Sequence, residues 1–280
     1  MTDLPPLTDR WIGRPAPRPS PRIRLFCLPY AGGGTAVYRP WADDLPEDIE
    51  LCLVQLPGRE TRMREAPYTS LHELVGGLEL ALKPLLDRPY AIFGHSMGAL
   101  IALAITRQLR SKGHPEPEHL FIAGRRAPHV PDPDPPLHQL PDAAFVATLV
   151  RRYNGIPKVL LQNVDLLRLF LPTLRTDMTM IETYSITEEP TLEAPIAAFG
   201  GWEDNRATQV QLAAWREFTT GAFTLRMLPG GHFFIQSARA ELVASIIDLL
   251  SPADPVRLHP PVRHTGLPES GIALNPRGVG

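Results

Sequence analysis

The sequence has few cysteines, no long apolar run and almost no net charge. Its 280 residues contain 2 Cys, which is too few for a disulfide framework or a cysteine-based metal site. Its 28 Lys and Arg against 30 Asp and Glu leave a formal charge of −2, so electrostatics gives no reason to expect nucleic-acid binding. No apolar run reaches the length of a membrane span, and the proline-rich first residues lack the apolar core of a signal peptide. We therefore expect a cytoplasmic protein without a membrane or nucleic-acid partner.

The hydrophobic residues that are present, 44% of the chain, suffice for one large α/β domain with a sizeable core. Strand and helix patterns alternate over residues 22–250, which is typical of a mostly parallel sheet flanked by helices. Residues 1–21 and 251–280 are rich in proline, glycine and charge without periodicity, and we expect both segments to be flexible. The predicted strands span residues 22–28, 49–55, 90–94, 119–124, 196–200 and 223–228. The predicted helices span residues 35–45, 70–86, 96–110, 141–153, 159–184, 207–219 and 237–250, with a capping box at Ser70 and Glu73.

One short segment places a serine between two glycines, where an apolar strand meets an apolar helix. Residues 92–100 read Ile-Phe-Gly-His-Ser-Met-Gly-Ala-Leu, so that Gly94 and Gly98 flank Ser96. This is the pattern of a nucleophile elbow, a turn so sharp that side chains at the two glycine positions would collide with neighbouring elements. The pattern predicts that Ser96 projects from the turn as a nucleophile, and we assign a packing role to His95.

A serine hydroxyl becomes a strong nucleophile only when a base and an orienting carboxylate are added, and after such an elbow the acid precedes the histidine. An apolar strand is followed at once by Glu203 and Asp204, and the last predicted strand runs through Pro-Gly-Gly into His232. Both positions come just after the carboxyl ends of parallel strands, where open α/β sheets place their sites. The pattern predicts His232 as the base. Glu203 and Asp204 are both candidates for the acid, because only one of two adjacent side chains can point at the imidazole.

A glycine-rich turn follows the first predicted strand and reads Pro-Tyr-Ala-Gly-Gly-Gly-Thr over residues 29–35. In enzymes with a nucleophile elbow, the loop after this strand supplies one backbone N–H to the oxyanion hole, and the residue after the nucleophile supplies the other. We therefore predict Ala31 and Met97 as the two donors. A phosphate-binding loop is the competing interpretation, but the turn lacks the Lys-Ser/Thr pair of a P-loop.

Five segments of the chain form a distinctive set. They are residues 28–33 (Leu-Pro-Tyr-Ala-Gly-Gly), 55–60 (Gln-Leu-Pro-Gly-Arg-Glu), 94–98 (Gly-His-Ser-Met-Gly), 171–177 (Leu-Pro-Thr-Leu-Arg-Thr-Asp) and 230–234 (Gly-Gly-His-Phe-Phe). Together they resemble the type II thioesterases, the stand-alone α/β-hydrolases that accompany polyketide and nonribosomal peptide synthases. Many esterases and lipases share the elbow, whereas the second and fourth segments are more specific.

The resemblance implies an α/β-hydrolase fold over residues 22–250 and the triad Ser96, Asp204 and His232, because Asp204 occupies the position of the family's acid. It implies thioester hydrolysis through an acyl-serine intermediate, without a metal or cofactor. The acyl group would arrive on the phosphopantetheine arm of a separate acyl carrier protein or peptidyl carrier protein, and the role would be to edit stalled chains. Two departures are Tyr30, where the family often has His, and residues 202–205, where it usually has a Gly-x-x-Asp-Pro-like turn.

The alternation of strands and helices is interrupted at about residues 125–195, where an insertion replaces an ordinary crossover. We interpret it as a helical lid that lines an acyl channel, although simple packing of its apolar face on the domain is the alternative. The helical pattern at 159–184 is divided by Pro172. That apolar face comprises Leu167, Phe170, Leu171, Leu174, Met178 and Ile181. Basic residues that could frame a mouth for the carrier are Arg125, Arg126, Arg151, Arg152 and Lys158, although a solvated basic face is an equal alternative.

Two other functions remain open from the sequence. A carboxylester or lipid hydrolase would use the same serine, acid and histidine and would prefer oxygen esters to carrier thioesters. A non-catalytic binding protein of the same fold would need no nucleophile, and the presence of all three residue types argues against it.

Overall fold

The central element of the fold is a twisted sheet of mostly parallel strands. A computed structural model describes residues 6–153, 161–186 and 189–252. In these ranges seven strands form one sheet in the order β1-β3-β2-β4-β5-β6-β7, and only β1 runs antiparallel to its neighbour. The strands are β1 (Ile12–Gly13), β2 (Ile23–Leu28), β3 (Ile49–Val54), β4 (Tyr90–His95), β5 (His119–Ala123), β6 (Ile196–Gly201) and β7 (Phe223–Leu228).

Helices cover both faces of this sheet. Successive side chains of β2 alternate between two buried clusters, with Phe26 in one and Leu25 in the other, as expected for a strand that is buried on both faces. Within the described ranges no helix is both long enough and apolar enough to cross a membrane. The helices are α1 (Leu7–Trp11), α2 (Trp41–Asp44), α3 (Leu71–Leu82), α4 (Met97–Ser111), α5 (Asp142–Tyr153), α6 (Val164–Thr183), α7 (Gln209–Ala213), α8 (Phe234–Ser237) and α9 (Arg239–Leu250).

The architecture is that of an α/β-hydrolase, as the sequence predicted, and each predicted strand lies within one or two residues of its expected place. Several predicted helices are shorter than expected. The pattern at 35–45 forms a 3-10 turn (Thr35–Val37) and then α2, with Pro40 between them. The pattern at 207–219 likewise gives α7 followed by a 3-10 turn (Ala214–Phe218).

The expectation that residues 1–21 are flexible is wrong for part of that segment. Residues 7–13 form α1 and β1, and the Trp11 side chain is 2% exposed. The Trp11 carbonyl accepts a hydrogen bond from the Gln55 backbone N–H, and the Arg62 guanidinium lies 4.2 Å from the centre of the indole ring. Burial of Trp11 and Ile12 and the pairing of β1 with β3 order a segment that is too short to show periodicity. Residues 1–5 and 253–280 lie outside the described residues.

Two local predictions about helices are also wrong. Ser70 does lie at the N-cap of α3, but its side chain makes no capping hydrogen bond; the capping box of the chain is formed instead by Thr208 and Gln211. Pro172 does not divide the lid helix, because α6 continues through it from Val164 to Thr183. The missing proline N–H removes one helical hydrogen bond, and the helix continues even though its buried residues all lie at Leu171 or beyond.

The insertion between β5 and β6 contains α5 and α6, and these helices have a small core of their own. Phe145 and Leu149 on α5 pack against Leu171, Leu174 and Met178 on α6. The predicted apolar face of this helix therefore exists, and part of it does pack within the insertion. The remaining question is which of its residues also face the predicted site.

Candidate active site

The predicted nucleophile lies at a sharp turn between strand and helix. Ser96 falls between the end of β4 and the start of α4, with φ 54° and ψ −109°. This is a strained conformation for a residue with a side chain. A Cβ atom on Gly94 would clash with the backbone of Gly98, and one on Gly98 would clash with the backbone of Leu28. The two glycines are therefore required by the close approach of helix and sheet, and the turn places the buried serine at the carboxyl edge of the sheet.

The predicted base lies in the loop after β7, beside this serine. The His232 Nε2 atom is 3.2 Å from Ser96 Oγ, and the His232 side chain is 7% exposed. Its ring packs against the rings of Tyr153 and Phe233. The imidazole is thus within hydrogen-bond distance of the hydroxyl whose proton a base would remove.

The structure distinguishes the two candidates for the acid. Asp204 Oδ2 accepts a hydrogen bond from His232 Nδ1 at 2.8 Å, and Asp204 Oδ1 accepts one from the Arg206 backbone N–H at 2.8 Å. Asp204 is buried, whereas Glu203 is exposed. Because Nδ1 donates to Asp204, Nε2 is left as the acceptor that faces Ser96. Serine, histidine and aspartate therefore form one hydrogen-bonded line, and their catalytic roles remain predictions that the geometry permits.

The two predicted oxyanion donors flank the same serine. Met97 is the first residue of α4, where a backbone N–H has no acceptor within its own helix. Ala31 lies in the loop after β2 and lines a cavity together with Ser96 and His232. The arrangement is that of a site able to stabilise a negatively charged oxygen beside the serine.

This cavity has a volume of about 40 Å³ and is bounded largely by the insertion. One residue of the basic group, Arg125, lies at its wall, and burial lowers the pKa of that guanidinium to about 10. The Arg125 guanidinium therefore remains protonated at neutral pH. The lining residues are Tyr30, Ala31, Ser96, Arg125, Leu149, Tyr153, Leu174, Met178, Ile181, His232 and Phe233. A larger cleft, of about 560 Å³ between α3, α4 and the end of α6, contains none of the predicted site residues.

The other basic residues of the insertion have different surroundings. Arg126 forms an ion pair with Asp132, Arg152 pairs with Asp134, and Arg151 is exposed. These arginines are partly neutralised by nearby carboxylates and do not line the cavity. Lys158 lies outside the described residues.

His95, next to the nucleophile in sequence, has surroundings that fit a packing role. It is fully buried, and its ring packs edge-on against the rings of Tyr30, Phe233 and Phe234. Burial, with a smaller contribution from His232, lowers the pKa of His95 well below its usual value. The ring is therefore uncharged at neutral pH, and Asp204 is the charged partner of His232.

Sequence reasoning missed the contacts that hold the glycine-rich loop. Arg59 and Asp177 form a buried ion pair with two hydrogen bonds of 2.8 Å, and the Gly32 backbone N–H donates to Asp177 at 2.7 Å. Both charged residues lie in segments that the sequence offered only as family markers. Their separation of 118 positions leaves no local pattern from which the pair could have been predicted.

Comparison with known proteins gives the family of the chain. The family model described as thioesterase domain matches residues 23–250. The thioesterase PikA5 of Streptomyces venezuelae is 39% identical over 253 residues, covering 89% of this chain and 89% of that protein. The linear gramicidin dehydrogenase LgrE of Brevibacillus parabrevis is 43% identical over 241 residues, covering 85% of this chain and 91% of that protein.

A solved structure extends the agreement to three dimensions. The type II thioesterase BorB from the borrelidin biosynthetic cluster superposes with a TM-score of 0.78 at 35% identity, covering 86% of this chain and 98% of that one. The name of LgrE specifies a dehydrogenase, so a similar chain carries a name from another reaction class. A hydrogen-bonded serine, histidine and aspartate, as described above, is an arrangement typical of acyl transfer rather than of hydride transfer.

Proposed function

Since this chain belongs to the thioesterase-domain family, we propose that it hydrolyses acyl thioesters on the phosphopantetheine arm of a separate acyl carrier protein or peptidyl carrier protein. The observation that carries the proposal is the line Ser96–His232–Asp204, with contacts of 3.2 and 2.8 Å, at the floor of a cavity under the helical lid. The type II thioesterases that resemble it supply the carrier-bound substrate class.

The reaction begins when Ser96 Oγ attacks the thioester carbonyl while His232 Nε2 takes its proton. The negative oxygen of the tetrahedral intermediate accepts hydrogen bonds from the N–H groups of Met97 and Ala31. Its collapse breaks the C–S bond, and the pantetheine sulfur takes the proton from His232 and leaves as a thiol. Asp204 orients the imidazole and stabilises its charged form throughout.

The second half of the reaction releases the acyl group. His232 removes a proton from a water molecule, which attacks the acyl-serine carbonyl at the same oxyanion site. Collapse of this intermediate breaks the bond to Ser96 Oγ, which recovers its proton from His232, and the product is a free carboxylic acid. Serine, histidine, aspartate and water suffice for this sequence, so the proposal needs no metal or cofactor.

The lid limits what the site accepts. Ligand pockets usually measure about 300–1,000 Å³, whereas the cavity beside Ser96 measures about 40 Å³. We propose that α5 or α6 shifts away from the sheet when an acyl group binds, and that Leu149, Leu174 and Met178 then contact the acyl chain. We assign Arg125 to the same wall, where its charge would face oxygen acceptors of the substrate.

The resemblance to type II thioesterases extends the proposal to an editing role. A hydrolase that removes aberrant acyl groups from carrier proteins would free carriers that are stalled. BorB, from the borrelidin biosynthetic cluster, and RedJ, from the prodiginine biosynthetic pathway, are structurally similar thioesterases and support this extension.

The test compares one acyl group on two thiols. We expect hydrolysis of the acyl-carrier thioester to show a kcat/KM about tenfold or more above that of the N-acetylcysteamine thioester, because remote contacts to the carrier help to position the carbonyl against Ser96. Steady-state kinetics on matched pairs measures this, with the corresponding oxygen ester as a third substrate. Equal efficiency on both thioesters, or a preference for the oxygen ester, would make a general esterase the better description. Absence of labelling by a fluorophosphonate would favour the non-catalytic binding protein.

A further inference from the structure

Three segments that are distant in sequence meet at one buried ion pair behind the glycine-rich loop. Arg59, in the segment after β3, donates to both carboxylate oxygens of Asp177 on lid helix α6 at 2.8 Å. The Gly32 backbone N–H donates to Asp177 Oδ2 at 2.7 Å, and Arg59 Nη1 donates to the Gly33 carbonyl at 3.1 Å. The loop between β2 and α2 is thus held by both members of the pair.

The burial of this pair makes a purely structural role a poor explanation. Arg59 is 7% exposed and Asp177 is 1% exposed. Taking two charges out of water carries a desolvation penalty that their attraction often fails to exceed, and apolar residues of similar size would commonly hold a fold as well. An apolar contact could not accept a hydrogen bond from the peptide between residues 31 and 32 and donate one to the peptide between residues 33 and 34.

Those two hydrogen bonds determine how the loop presents its peptides. Gly32 has φ +71°, which favours glycine, and a Cβ there would press into the Phe170 ring on α6. Because the Gly32 N–H points at Asp177, the plane of the peptide between Ala31 and Gly32 is fixed. The backbone of Ala31, whose own N–H is the proposed oxyanion donor, is then fixed from one side.

We infer that Arg59 and Asp177 are positioning residues that hold the Ala31 N–H in the place where it meets the oxyanion. The inference rests on the proposed function, since it assigns these residues to the same hydrolytic site. Neither residue touches the reacting atoms, and both act through the glycine-rich loop. Asp177, on the lid helix, thereby sets the position of the Ala31 N–H. The sheet alone would not fix that position, because Ala31 lies in a glycine-rich loop.

The chain offers a matched control pair at the other end of the sheet. Arg24 Nε donates to Glu50 Oε2 at 2.8 Å, and Glu50 is 1% exposed. Arg24 lies beside Tyr90, the first residue of β4, whereas Ser96 follows the last residue of that strand. A change from carboxylate to amide removes one buried negative charge at either site, although Arg24 keeps its ion pair with Asp87. Only the Asp177 site adjoins the loop.

The experiment compares Asp177→Asn with Glu50→Gln in the full chain. The reporter is a p-nitrophenyl ester, whose hydrolysis uses the same oxyanion donors whatever the natural leaving group. For Asp177→Asn we expect kcat to fall about 10- to 100-fold with KM changed less than about threefold, because a misplaced donor weakens the transition state more than the bound substrate. For Glu50→Gln we expect a lower Tm and an unchanged kcat.

Inhibitor binding separates positioning from general loosening. A boronic acid that forms a tetrahedral adduct with Ser96 should bind Asp177→Asn more weakly by about the same factor as the loss in kcat, since the adduct carries the oxyanion. A non-hydrolysable amide analogue of the substrate should bind parent and variant equally. Parallel weakening of both ligands, or an Asp177→Asn variant with parental kcat, would overturn the inference.

A milder change covers the case in which Asp177→Asn does not fold. Arg59→Lys keeps the positive charge but loses the two-pronged contact with Asp177 and the contact with the Gly33 carbonyl, so kcat should still fall and boronic acid binding should weaken. Parental values for Arg59→Lys would then overturn the inference. A parent protein that hydrolyses the ester but no carrier thioester would instead refute the proposed function and leave this test intact.

Discussion

The carboxyl edge of the sheet and the lid above it are built by different kinds of contact. At the sheet edge, Ser96, Asp204 and His232 each follow a strand, and backbone hydrogen bonds between parallel strands hold those strands in register. The lid helix α6 is held largely by side chains. Thr173 Oγ1 donates to the Gly58 carbonyl at 2.8 Å, and the Glu182 carboxylate accepts from the backbone N–H groups of residues 137 and 138.

This difference separates the positions of the reacting atoms, which must stay constant, from the volume of the cavity, which can vary. A backbone ladder places the reacting atoms independently of most side chains, so the chemistry tolerates sequence change elsewhere in the fold. Side-chain contacts can be exchanged or displaced singly, so the lid can adapt the volume of the cavity to different acyl groups. We expect substitution of Ser96, Asp204 or His232 at the sheet edge to abolish turnover, and substitution of the lid side chains that line the cavity to alter selectivity.

The largest effect should come from the nucleophile. Ser96→Ala should lower kcat by about a million-fold while leaving Tm near that of the parent, because the hydroxyl takes part in chemistry and contributes little to packing. Single-turnover hydrolysis and thermal unfolding measure the two quantities. A folded variant within tenfold of parental activity would show that the serine is not the nucleophile.

The acid should come next, and the chain contains its own control. Asp204→Asn should lower kcat by about 10⁴-fold, because an amide favours the wrong imidazole tautomer and cannot stabilise the imidazolium. Glu203→Gln should change kcat little, since Glu203 is exposed and Asp204 makes the contact with His232. The reverse ranking in kcat would assign the acid to Glu203.

A smaller and more selective effect is expected in the lid. Met178 lines the cavity beside Ser96, whereas Met180 on the same helix is equally buried but lines the separate cleft near α3. Met178→Ala should raise kcat/KM for longer acyl groups relative to short ones by a few-fold, because it enlarges the cavity. Met180→Ala should lower the free energy of unfolding by about 2–5 kcal/mol, the usual range for such truncations. It should not change the preference for acyl-chain length. A shift in preference with both variants would mean that the lid loosens as a whole.

The smallest expected effect concerns stability against pH. Burial lowers the pKa of His119 to about 4 and that of His95 well below its usual 6.5. The unfolded chain therefore takes up these protons first, and the free energy of unfolding should fall as the pH drops from about 6.5 towards 4. Thermal unfolding across this range measures the slope, and His119→Gln should make it shallower. An unchanged slope would show that His119 is not protonated differently in the two states.

Much of the fold was readable because strands buried on both faces are short apolar runs that end in glycine or proline. Trp11 shows the limit of such reading, since it and its neighbour Ile12 are buried in a segment that has no periodicity. Pro172 shows another, because a helix can continue through a proline despite the loss of one hydrogen bond. Ser70 shows a third: a residue favoured at the helix start was placed there without making the expected hydrogen bond.

The candidate site also has one part that the sequence predicted and another that only the structure decided. Sequence order and the strand-to-helix junction singled out Ser96 and His232, and left Glu203 and Asp204 as alternatives until family resemblance favoured one. The structure shows which of the two faces the imidazole, because the turn after β6 buries Asp204 and leaves Glu203 in solvent. It also brings Arg125 to the cavity wall, which its place among several arginines could not reveal.

The sequence by itself predicts the place of the reaction centre, because a nucleophile elbow is a local event. Two glycines and a serine within five residues form that turn where a helix and a strand approach closely. The carboxyl ends of parallel strands meet at one edge of the sheet, so the other site residues lie near the turn. Only the tertiary structure decides how the glycine-rich loop is held and how much room the acyl group has. Arg59 and Asp177 are 118 positions apart, and the lid helices meet the sheet through side chains whose partners no local pattern specifies. Backbone geometry is encoded by neighbours in the chain, whereas long-range ion pairs and cavity volume exist only once the chain has folded.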